Sequence, residues 1–426
     1  RYLVHRPHST SLCTVQETAT GQDLVAVVGS HSAGARPVVF SDNGHTLATA
    51  TTGFLFGRRE SYVSTWNVTT GEEGAHIAVP DASDTACAVS PDGRKIAVTE
   101  RARRSAAGAI RIWDTSRGVQ LRQIPTPATN IGGLVYSPDG RLLATSNYQK
   151  IQLWDATSGQ AGVTLEDPPA RPHAAMAFSP DGRALAVACA DEGKIIIWEL
   201  ASGGVRRVLE GHHATAYALA FSRDGRLLAS GGADTAIFLW DRFGDTGTRG
   251  QPSSALTPAE LQSCWTDLAD RHARVGYQTM CRLLTVPQQT LALLDRQLQA
   301  DTGKVPGATE ISGWIMALDD KSFHKRAQAY RELAEAGVTA QPALTRALAE
   351  KPSLEKRRRL EALLSELKSA RPAPARIRLA RALELLEHLG SPPARHVLQR
   401  LANGQADAWL TRAAKAALGR LAIRSK

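Results

Sequence analysis

The first 250 residues alternate short apolar stretches with polar turns, and the residues that follow change to a helical periodicity. In residues 173–199 the apolar stretches HAAMAF, ALAVAC and KIIIWE surround the turn SPDGR, which indicates short antiparallel strands. Near the end of the chain, Leu360, Leu363, Leu364 and Leu367 recur at helical spacing. Strand-type and helix-type segments are therefore segregated, which predicts two different domains.

A tryptophan recurs through the strand-rich part at intervals of 47, 41, 44 and 42 residues. The turn Ser-Pro-Asp-Gly-Arg or a variant of it precedes each tryptophan, so two independent markers keep one period. In this turn the glycine supplies the left-handed conformation that returns the chain to the sheet. Each repeat is therefore predicted to form four short strands. The five tryptophans are Trp66, Trp113, Trp154, Trp198 and Trp240.

The last repeat, residues 210–241, begins with Gly-His and ends with Trp-Asp, and it closely resembles a WD40 repeat. The resemblance implies a β-propeller in which each repeat supplies one sheet. It also implies a buried network in which polar groups satisfy one another. By resemblance, the network residues are His212, Ser230, Asp234 and Trp240.

The other four repeats depart from this network. None of them has an aspartate six residues before its tryptophan, and threonine or valine replaces Ser230. We therefore expect apolar packing to hold most of the sheets. A metal or catalytic role for His212 would need partner groups that these repeats do not offer at matching positions, so we favour a structural role. The residues at the position of Ser230 are Thr49, Val98, Thr145 and Val187.

Residues 1–29 resemble a degenerate repeat that lacks its tryptophan. Propellers of this family commonly close with seven repeats, so we expect five clear blades and a partial one as part of a seven-bladed ring. The last repeat lacks an outer strand after Asp241, and in the family an N-terminal strand supplies it. Because Arg1 lies inside a pattern already under way, we expect a preceding segment, which could carry a targeting signal.

Glycine, threonine, serine and proline become frequent after Asp241, which indicates a linker. We predict a propeller over residues 1–247, a linker over 248–256 and a helical domain over 257–426. Predicted helices span residues 258–270, 271–284, 287–299, 308–318, 322–336, 340–350, 353–369, 375–389, 392–403 and 406–422.

The ends of these helices carry recognisable caps. Thr257, Pro258 and Glu260 have the spacing of a capping box with proline in the first turn. Glycines stand where helix C-caps are expected, at Gly337, Gly390 and Gly404.

From residue 322 onward the helices form three antiparallel-looking pairs of ~35 residues, which resembles HEAT-type repeats. A compact helical bundle is the alternative. The order of a propeller followed by such helices is similar to that of multidomain bacterial WD40 proteins. That resemblance allows a kinase-like or sigma-factor-like domain before the propeller.

The net charge of +10 lies entirely in the C-terminal part. Residues 1–250 contain 24 basic and 24 acidic residues, whereas residues 251–426 contain 27 and 17. A basic surface can bind nucleic acid, but this one lacks interleaved aromatic residues and any recognised motif. Nearby Glu355, Glu361 and Glu366 can pair with it, so we favour a solvated helix face. The local basic residues are Lys356, Arg357, Arg358, Arg359, Arg371, Arg376, Arg378 and Arg381.

The sequence offers no positive sign of an enzyme, a metal site or a cofactor. It has no glycine-rich phosphate loop, no HExxH and no GxSxG motif. Its five cysteines are scattered and never at CxxC spacing, which predicts reduced and mostly buried thiols rather than disulfides or zinc ligands. No apolar segment approaches the ~20 residues of a membrane span. These features favour a cytoplasmic, non-enzymatic protein.

We therefore expect a scaffold that binds protein partners through the propeller face and the helical array. A nucleic-acid-binding protein that uses the basic helices is the alternative. The partner, the blade number, any preceding domain and the oligomeric state stay open. The candidate residues on the propeller face, from their positions in the repeats, are Arg36, Asn130, Tyr148, His173, Glu192 and Tyr217.

Overall fold

A computed structural model of the chain describes most of its residues, in two compact units. Unit 1 comprises Arg1–Trp198 and Arg207–Asp241, and unit 2 comprises Glu199–Arg206 and Arg242–Lys426. The described residues are 2–5, 12–17, 23–28, 38–41, 44–55, 58–79, 86–101, 108–127, 131–147, 149–165, 172–190, 193–243, 255–302, 307–337, 340–350, 352–369, 373–404 and 409–424.

Each tryptophan repeat forms one antiparallel sheet. The first sheet contains β4 (Val38–Phe40), β5 (Thr46–Leu55), β6 (Arg58–Asn67) and β7 (Glu73–Val79). The second contains β8 (Cys87–Val89), β9 (Lys95–Arg101), β10 (Gly108–Asp114) and β11 (Gln120–Thr126). The third contains β12 (Gly133–Tyr136), β13 (Leu142–Ser146), β14 (Ile151–Asp155) and β15 (Ala161–Leu165).

The fourth sheet contains β16 (Pro172–Phe178), β17 (Ala184–Cys189), β18 (Ile195–Glu199) and β19 (Gly204–Leu209). The fifth has three strands, β20 (Ala216–Phe221), β21 (Leu227–Gly232) and β22 (Ile237–Asp241). This confirms, for the described residues, that the last repeat lacks an outer strand of its own. A separate sheet contains β1 (Tyr2–His5), β2 (Leu12–Glu17) and β3 (Asp23–Val28), and its role as a partial blade stays a prediction.

The innermost strands of consecutive sheets contact one another from the first sheet to the fifth. Small residues on the strand next to the innermost one allow this close packing, and Ala48, Ala97, Ala144 and Ala186 are completely buried there. Bulky side chains would not fit where blades taper towards the propeller axis. These five sheets form a five-bladed β-propeller.

The turn between the first two strands of a sheet has the predicted conformation. In the second sheet, Asp92 accepts hydrogen bonds from the Ser90 hydroxyl at 2.6 Å and from the Arg94 amide at 3.1 Å. Burial would raise the pKa of Asp92, but these hydrogen bonds and the nearby cations together lower it. Gly93 follows with φ of 74°, in the left-handed region, so a side chain there would be strained.

The described part of unit 2 contains ten helices, and each overlaps one of the ten predicted helices. Their ends differ from the predicted ends by at most three residues, as is usual for frayed helix termini. The helices are α1 (Pro258–Asp267), α2 (Ala273–Leu284), α3 (Pro287–Thr302), α4 (Ala308–Ala317), α5 (Phe323–Ala336), α6 (Gln341–Ala349), α7 (Leu354–Ser369), α8 (Pro374–Leu389), α9 (Pro392–Ala402) and α10 (Trp409–Arg424).

The capping box at the start of α1 is confirmed. The Thr257 side chain accepts from the Glu260 amide, and the Glu260 carboxylate accepts from the Thr257 amide at 2.8 Å. Gly337 and Gly390 have φ of 58° and 59° at the C-caps of α5 and α8, as predicted. The prediction for α9 is wrong by one residue, because its C-cap is Asn403.

The helices are divided between two apolar cores. One apolar core joins α1, α2 and α3 to α8, α9 and α10, whereas a second core joins α4 to α7. Solenoid repeats contact only their sequence neighbours, so the HEAT-like arrangement is not confirmed, and contacts between α2 and α8 agree better with a bundle. Among the described helices, none is both long enough and apolar enough to cross a membrane.

Candidate interaction surface

The last repeat contains a continuous hydrogen-bonded chain of side chains. His212 contacts the Asp234 carboxylate through Nδ1 at 2.9 Å and the Ser230 hydroxyl through Nε2 at 2.8 Å. The Trp240 indole N–H donates to the same hydroxyl at 2.8 Å. Because a carboxylate only accepts, Nδ1 carries a proton and donates a hydrogen bond to Asp234. The structure thus brings the four network residues together.

In the other repeats, the residue at the position of Ser230 determines whether the tryptophan indole N–H has a hydrogen-bond acceptor. Trp66 donates to Thr49 at 3.1 Å, and Trp154 donates to Thr145 at 2.9 Å. Where valine replaces Ser230, at Val98 and Val187, the tryptophan indole N–H groups are buried without a hydrogen-bond partner among the described residues. These indoles belong to Trp113 and Trp198.

The network holds two loops of the last repeat together, residues 210–215 and 233–236, which we call the loop pair. The Asp234 carboxylate also accepts from the amides of His213 at 2.9 Å and Ala236 at 3.2 Å. Burial would raise the pKa of Asp234, but its hydrogen bonds lower it. A Cβ at Gly232 would lie 2.6 Å from Asp234 Oδ1, so glycine is required for this approach.

The preceding repeat supports the loop pair from the side. Thr215 donates its hydroxyl to the Ala190 carbonyl, and Lys194 lies 3.6 Å from the Glu210 carboxylate. Gly193 has φ of 61°, and a Cβ there would overlap the carbonyl oxygen of His212. The loop pair is therefore fixed by contacts within its own repeat and with its neighbour.

Beside this fixed frame, Tyr217 projects into solvent with an exposed fraction of 62%. The register of β20 against β21 shifts between Ala216 and Ala218, so Tyr217 is the extra residue of a β-bulge. Bulges re-aim side chains and often lie next to functional sites. His213 and Thr235 are also exposed on the loop pair, and Thr235 holds a left-handed φ of 61°. Polar loops and an aromatic side chain thus share one rigid end of the repeat.

The other candidate face residues cannot be placed beside Tyr217. Arg36, Asn130, Tyr148 and Glu192 lie outside the described residues, and His173 is described only as part of strand β16. Their assignment to a binding face stays a prediction.

Sequence reasoning missed a buried charged cluster in unit 2. The Glu199 carboxylate accepts from Arg206 at 2.8 Å and from Arg381 at 2.6 Å, while Glu384 accepts from Arg206 at 2.6 Å and from Arg242 at 2.7 Å. All five side chains are almost completely buried. The five cluster residues are far apart in the sequence, so no local motif indicates the cluster. Helical periodicity is the one signal that could have placed Arg381 on the inner face of α8.

Several arginines that raised the possibility of nucleic-acid binding instead contact protein groups. Arg381 also donates to the carbonyls of Leu268 and Asp270. Arg359 donates to the Leu318 carbonyl at 2.8 Å. Aromatic rings cover two more guanidinium groups, with Arg376 over Trp409 and Arg378 over Trp265, each at 4.7 Å. Arg357 and Arg358 are exposed.

The described residues contain no group of histidine, cysteine and carboxylate side chains suited to a metal ion. Four cysteines are free and buried, which confirms the prediction for Cys87, Cys189, Cys264 and Cys281. Burial raises the pKa of the Cys87 thiol to about 12, so this thiol is unreactive.

Three segments of the strand-rich part match a known protein family. The family "WD domain, G-beta repeat" matches residues 118–155, 173–199 and 203–241. These three segments are WD40 repeats. The human "WD repeat and SOCS box-containing protein 1" is 30% identical over 138 residues, which cover 30% of this chain and 32% of that protein. "COMPASS component SWD3" of Saccharomyces cerevisiae is 34% identical over 124 residues, which cover 28% and 39%.

"Periodic tryptophan protein 2" of Arabidopsis thaliana is 25% identical over 184 residues, 33% of this chain and 20% of that protein. The chain thus spans about a third of the length of the first of these relatives. All three are eukaryotic, and similarity of the whole chain to multidomain bacterial WD40 proteins is not shown. Neither these relatives nor the contacts of the described arginines support the nucleic-acid alternative.

Proposed function

We propose that the protein is a non-enzymatic scaffold that binds a protein partner through the loop pair of its last WD40 repeat. The observation that carries this proposal is the rigid loop pair with the exposed side chain of Tyr217 beside it. A preorganised surface loses little conformational entropy when a partner binds. Tyrosine suits such a surface because it buries a large ring and keeps a polar hydroxyl.

The similarity to WD-repeat proteins supports the proposal at the level of the fold, since propellers present loops on a stable frame. The helical unit would add a second binding surface, and a cytoplasmic location remains part of the proposal. His212 and Asp234 of the last repeat hydrogen-bond to each other within the frame itself, which favours a binding role over a catalytic one.

The test is affinity capture from the native host with three versions of the chain. Tyr217→Asp places a charge on the proposed surface, whereas Arg223→Asp places one on the exposed Ser-Arg-Asp-Gly turn of the same repeat. We expect Tyr217→Asp to reduce specific partner recovery at least tenfold at unchanged thermal stability, and Arg223→Asp to leave it intact. Equal recovery with wild type and Tyr217→Asp would refute the role of this surface.

A further inference from the structure

Three large apolar side chains of unit 2 project into solvent. Met316 on α4, Phe323 on α5 and Leu354 on α7 have exposed fractions of 74%, 76% and 69%. Among the residues of unit 2 whose side chains are described, these are the large hydrophobic ones that stand exposed. A single exposed apolar residue is common on protein surfaces, so the significance of these three depends on whether they lie together.

Hydrogen bonds bring the three positions to the same end of the helices α4 to α7. The loop between α4 and α5 has Met316 just before it and Phe323 at its end. The start of α7 contacts this loop, because the Ser353 hydroxyl donates to the Asp319 carboxylate at 3.0 Å, and Leu354 directly follows Ser353. A second hydrogen bond, at 2.8 Å, joins α7 to the C-cap carbonyl of α4. We call the surface formed by Met316, Phe323 and Leu354 the apolar end.

The core between α4 and α7 is formed without these side chains. Leu318 on α4 and Leu363 on α7 are completely buried in it. From the period of about 3.6 residues per turn, Met316 lies ~160° around its helix from Leu318, and Leu354 lies ~180° around its helix from Leu363. Their exposure therefore follows from the outward faces of described helices and not from a core position that lacks a neighbour.

Basic residues surround the apolar end. Residues 316–326 and 350–359 contain eight lysines and arginines and four acidic residues, so the net charge of these two segments is +4. Two of the acidic groups are engaged locally, since Asp319 accepts from a serine hydroxyl at 3.0 Å and Asp320 accepts from a backbone amide at 2.8 Å. The exposed lysines and arginines are Lys321, Lys325, Arg357 and Arg358.

Protruding apolar side chains beside basic ones are complementary to an anionic lipid surface. Lysine and arginine attract anionic headgroups, and apolar side chains enter the boundary between the headgroups and the acyl chains. A partner helix instead binds in a groove, and exposed fractions of 69% to 76% are too high for residues that line the walls of a groove. Nucleic acid would contact the basic residues through its phosphates and leave the apolar side chains in water.

We propose that the apolar end is a peripheral membrane-binding site that docks the chain on anionic lipid. The three apolar side chains enter the interface, while Lys321, Arg357 and Arg358 contact the lipid phosphates. Each lysine or arginine near an anionic surface contributes about fivefold in affinity, and salt weakens this contribution. The site belongs to unit 2 and does not depend on the loop pair, so the two proposals can fail independently.

Vesicle flotation of the 426-residue chain at low salt tests this site, with phosphatidylcholine vesicles that contain about one third phosphatidylglycerol and with pure phosphatidylcholine vesicles. We expect binding to the anionic vesicles to be at least tenfold tighter. Phe323→Ala with Leu354→Ala leaves the charge unchanged and should weaken this binding at least tenfold. The matched control, Leu121→Ala with Val163→Ala, changes two apolar residues that are 50% and 44% exposed on strands of unit 1, and it should bind like the wild type. Circular dichroism spectra identical to that of the wild type would verify folding.

Two further measurements distinguish insertion from adsorption. Arg357→Gln with Arg358→Gln should weaken binding to the anionic vesicles about 25-fold, whereas Arg117→Gln with Arg223→Gln, on exposed turns of unit 1, should leave it unchanged. A polarity-sensitive fluorophore attached to Leu354→Cys should emit at shorter wavelength on the anionic vesicles. The wild type treated with the same reagent is the blank, because four of its cysteines are buried.

An absence of binding to the anionic vesicles would overturn the proposal, and so would unchanged binding of the variant Phe323→Ala with Leu354→Ala. Binding that depends on Arg357 and Arg358 without any change in emission at position 354 would also overturn it. That result would assign the basic residues to an acidic protein partner.

Discussion

Replacement of Glu199 by glutamine should destabilise unit 2 strongly, because Glu199 is one of only two carboxylates in a buried cluster with three arginines. Its oxygens accept from Arg206 and Arg381, and Ser202 donates a further hydrogen bond at 2.5 Å. Glutamine keeps the shape but removes the charge, which raises the net charge of the cluster from +1 to +2. An arginine left buried without its partner costs about 3–5 kcal/mol.

The lowered pKa of Glu199 reflects the same contacts with the arginines. Burial alone would raise this pKa, but the guanidinium groups of Arg206 and Arg381 outweigh burial and lower it from 4.5 to about 2. That difference corresponds to roughly 3 kcal/mol in favour of the folded, ionised form.

The lowered pKa also predicts how stability depends on pH. A carboxylate with a folded-state pKa below its unfolded value stabilises the fold at pH values above the unfolded one. The contribution of Glu199 is therefore complete at pH 7 and disappears as the pH falls from about 4.5 to about 2. Glu199→Gln removes this part of the pH dependence, so the difference between wild type and variant should shrink in acid.

Urea unfolding followed by circular dichroism at 222 nm, which reports mainly on the helices, measures this loss. The control is Glu355→Gln, which breaks an exposed pair with Arg359 and should cost less than about 1 kcal/mol. A loss below about 1 kcal/mol at pH 7 for Glu199→Gln, or a difference that persists unchanged at pH 2.5, would refute the reasoning.

Two further substitutions test packing and hydrogen bonding, each by urea unfolding against a matched control. Val98→Thr places a hydroxyl where it can accept a hydrogen bond from the unsatisfied Trp113 indole, as Thr145 does for Trp154. We expect the free energy of unfolding to stay the same or to rise by about 1 kcal/mol. The buried control Val63→Thr should lower it by about 1–3 kcal/mol. Gly276→Ala would place a Cβ in steric overlap with the guanidinium of Arg381, which hydrogen bonds hold in place, and should lower the free energy of unfolding by about 3 kcal/mol. In the control Gly313→Ala on α4, the new Cβ meets nothing within 4 Å and should raise the free energy of unfolding by about 0.5–1 kcal/mol. A stable Gly276→Ala variant or a destabilised Val98→Thr variant would contradict these assignments.

The elements of the fold follow from local patterns in the sequence. The spacing of the tryptophans and of the Ser-Pro-Asp-Gly turns identifies the five sheets. Both markers determine the backbone conformation only within a few residues of their own positions, so they can be recognised in the sequence. Leucine periodicity and the Thr257 capping box identify the helices for the same reason. Helix ends were predicted less well, since a terminal turn is held by few contacts.

Tertiary pairing could not be predicted in the same way. The segment Glu199–Arg206 is grouped with the helices because Glu199 and Arg206 pair with residues more than 170 positions away. The contact of α2 with α8 likewise depends on which apolar faces match, and Leu/Ala periodicity is almost the same on every helix. Sequence adjacency alone therefore does not establish the HEAT-like pairing, because α2 also contacts α8.

The candidate site shows the same division. The four network residues follow from the resemblance of residues 210–241 to a WD40 repeat. Tyr217 was selected by its position in the repeat, whereas the β-bulge that exposes it depends on a register that the sequence does not reveal.

Hydrogen exchange of the chain with and without a captured protein partner tests the scaffold proposal most directly. We predict that the partner slows exchange in residues 210–217 and 233–236, next to Tyr217, while the turn at residues 222–226 is unchanged. Protection confined to the helices of unit 2, with unchanged exchange in both loops, would contradict the proposal.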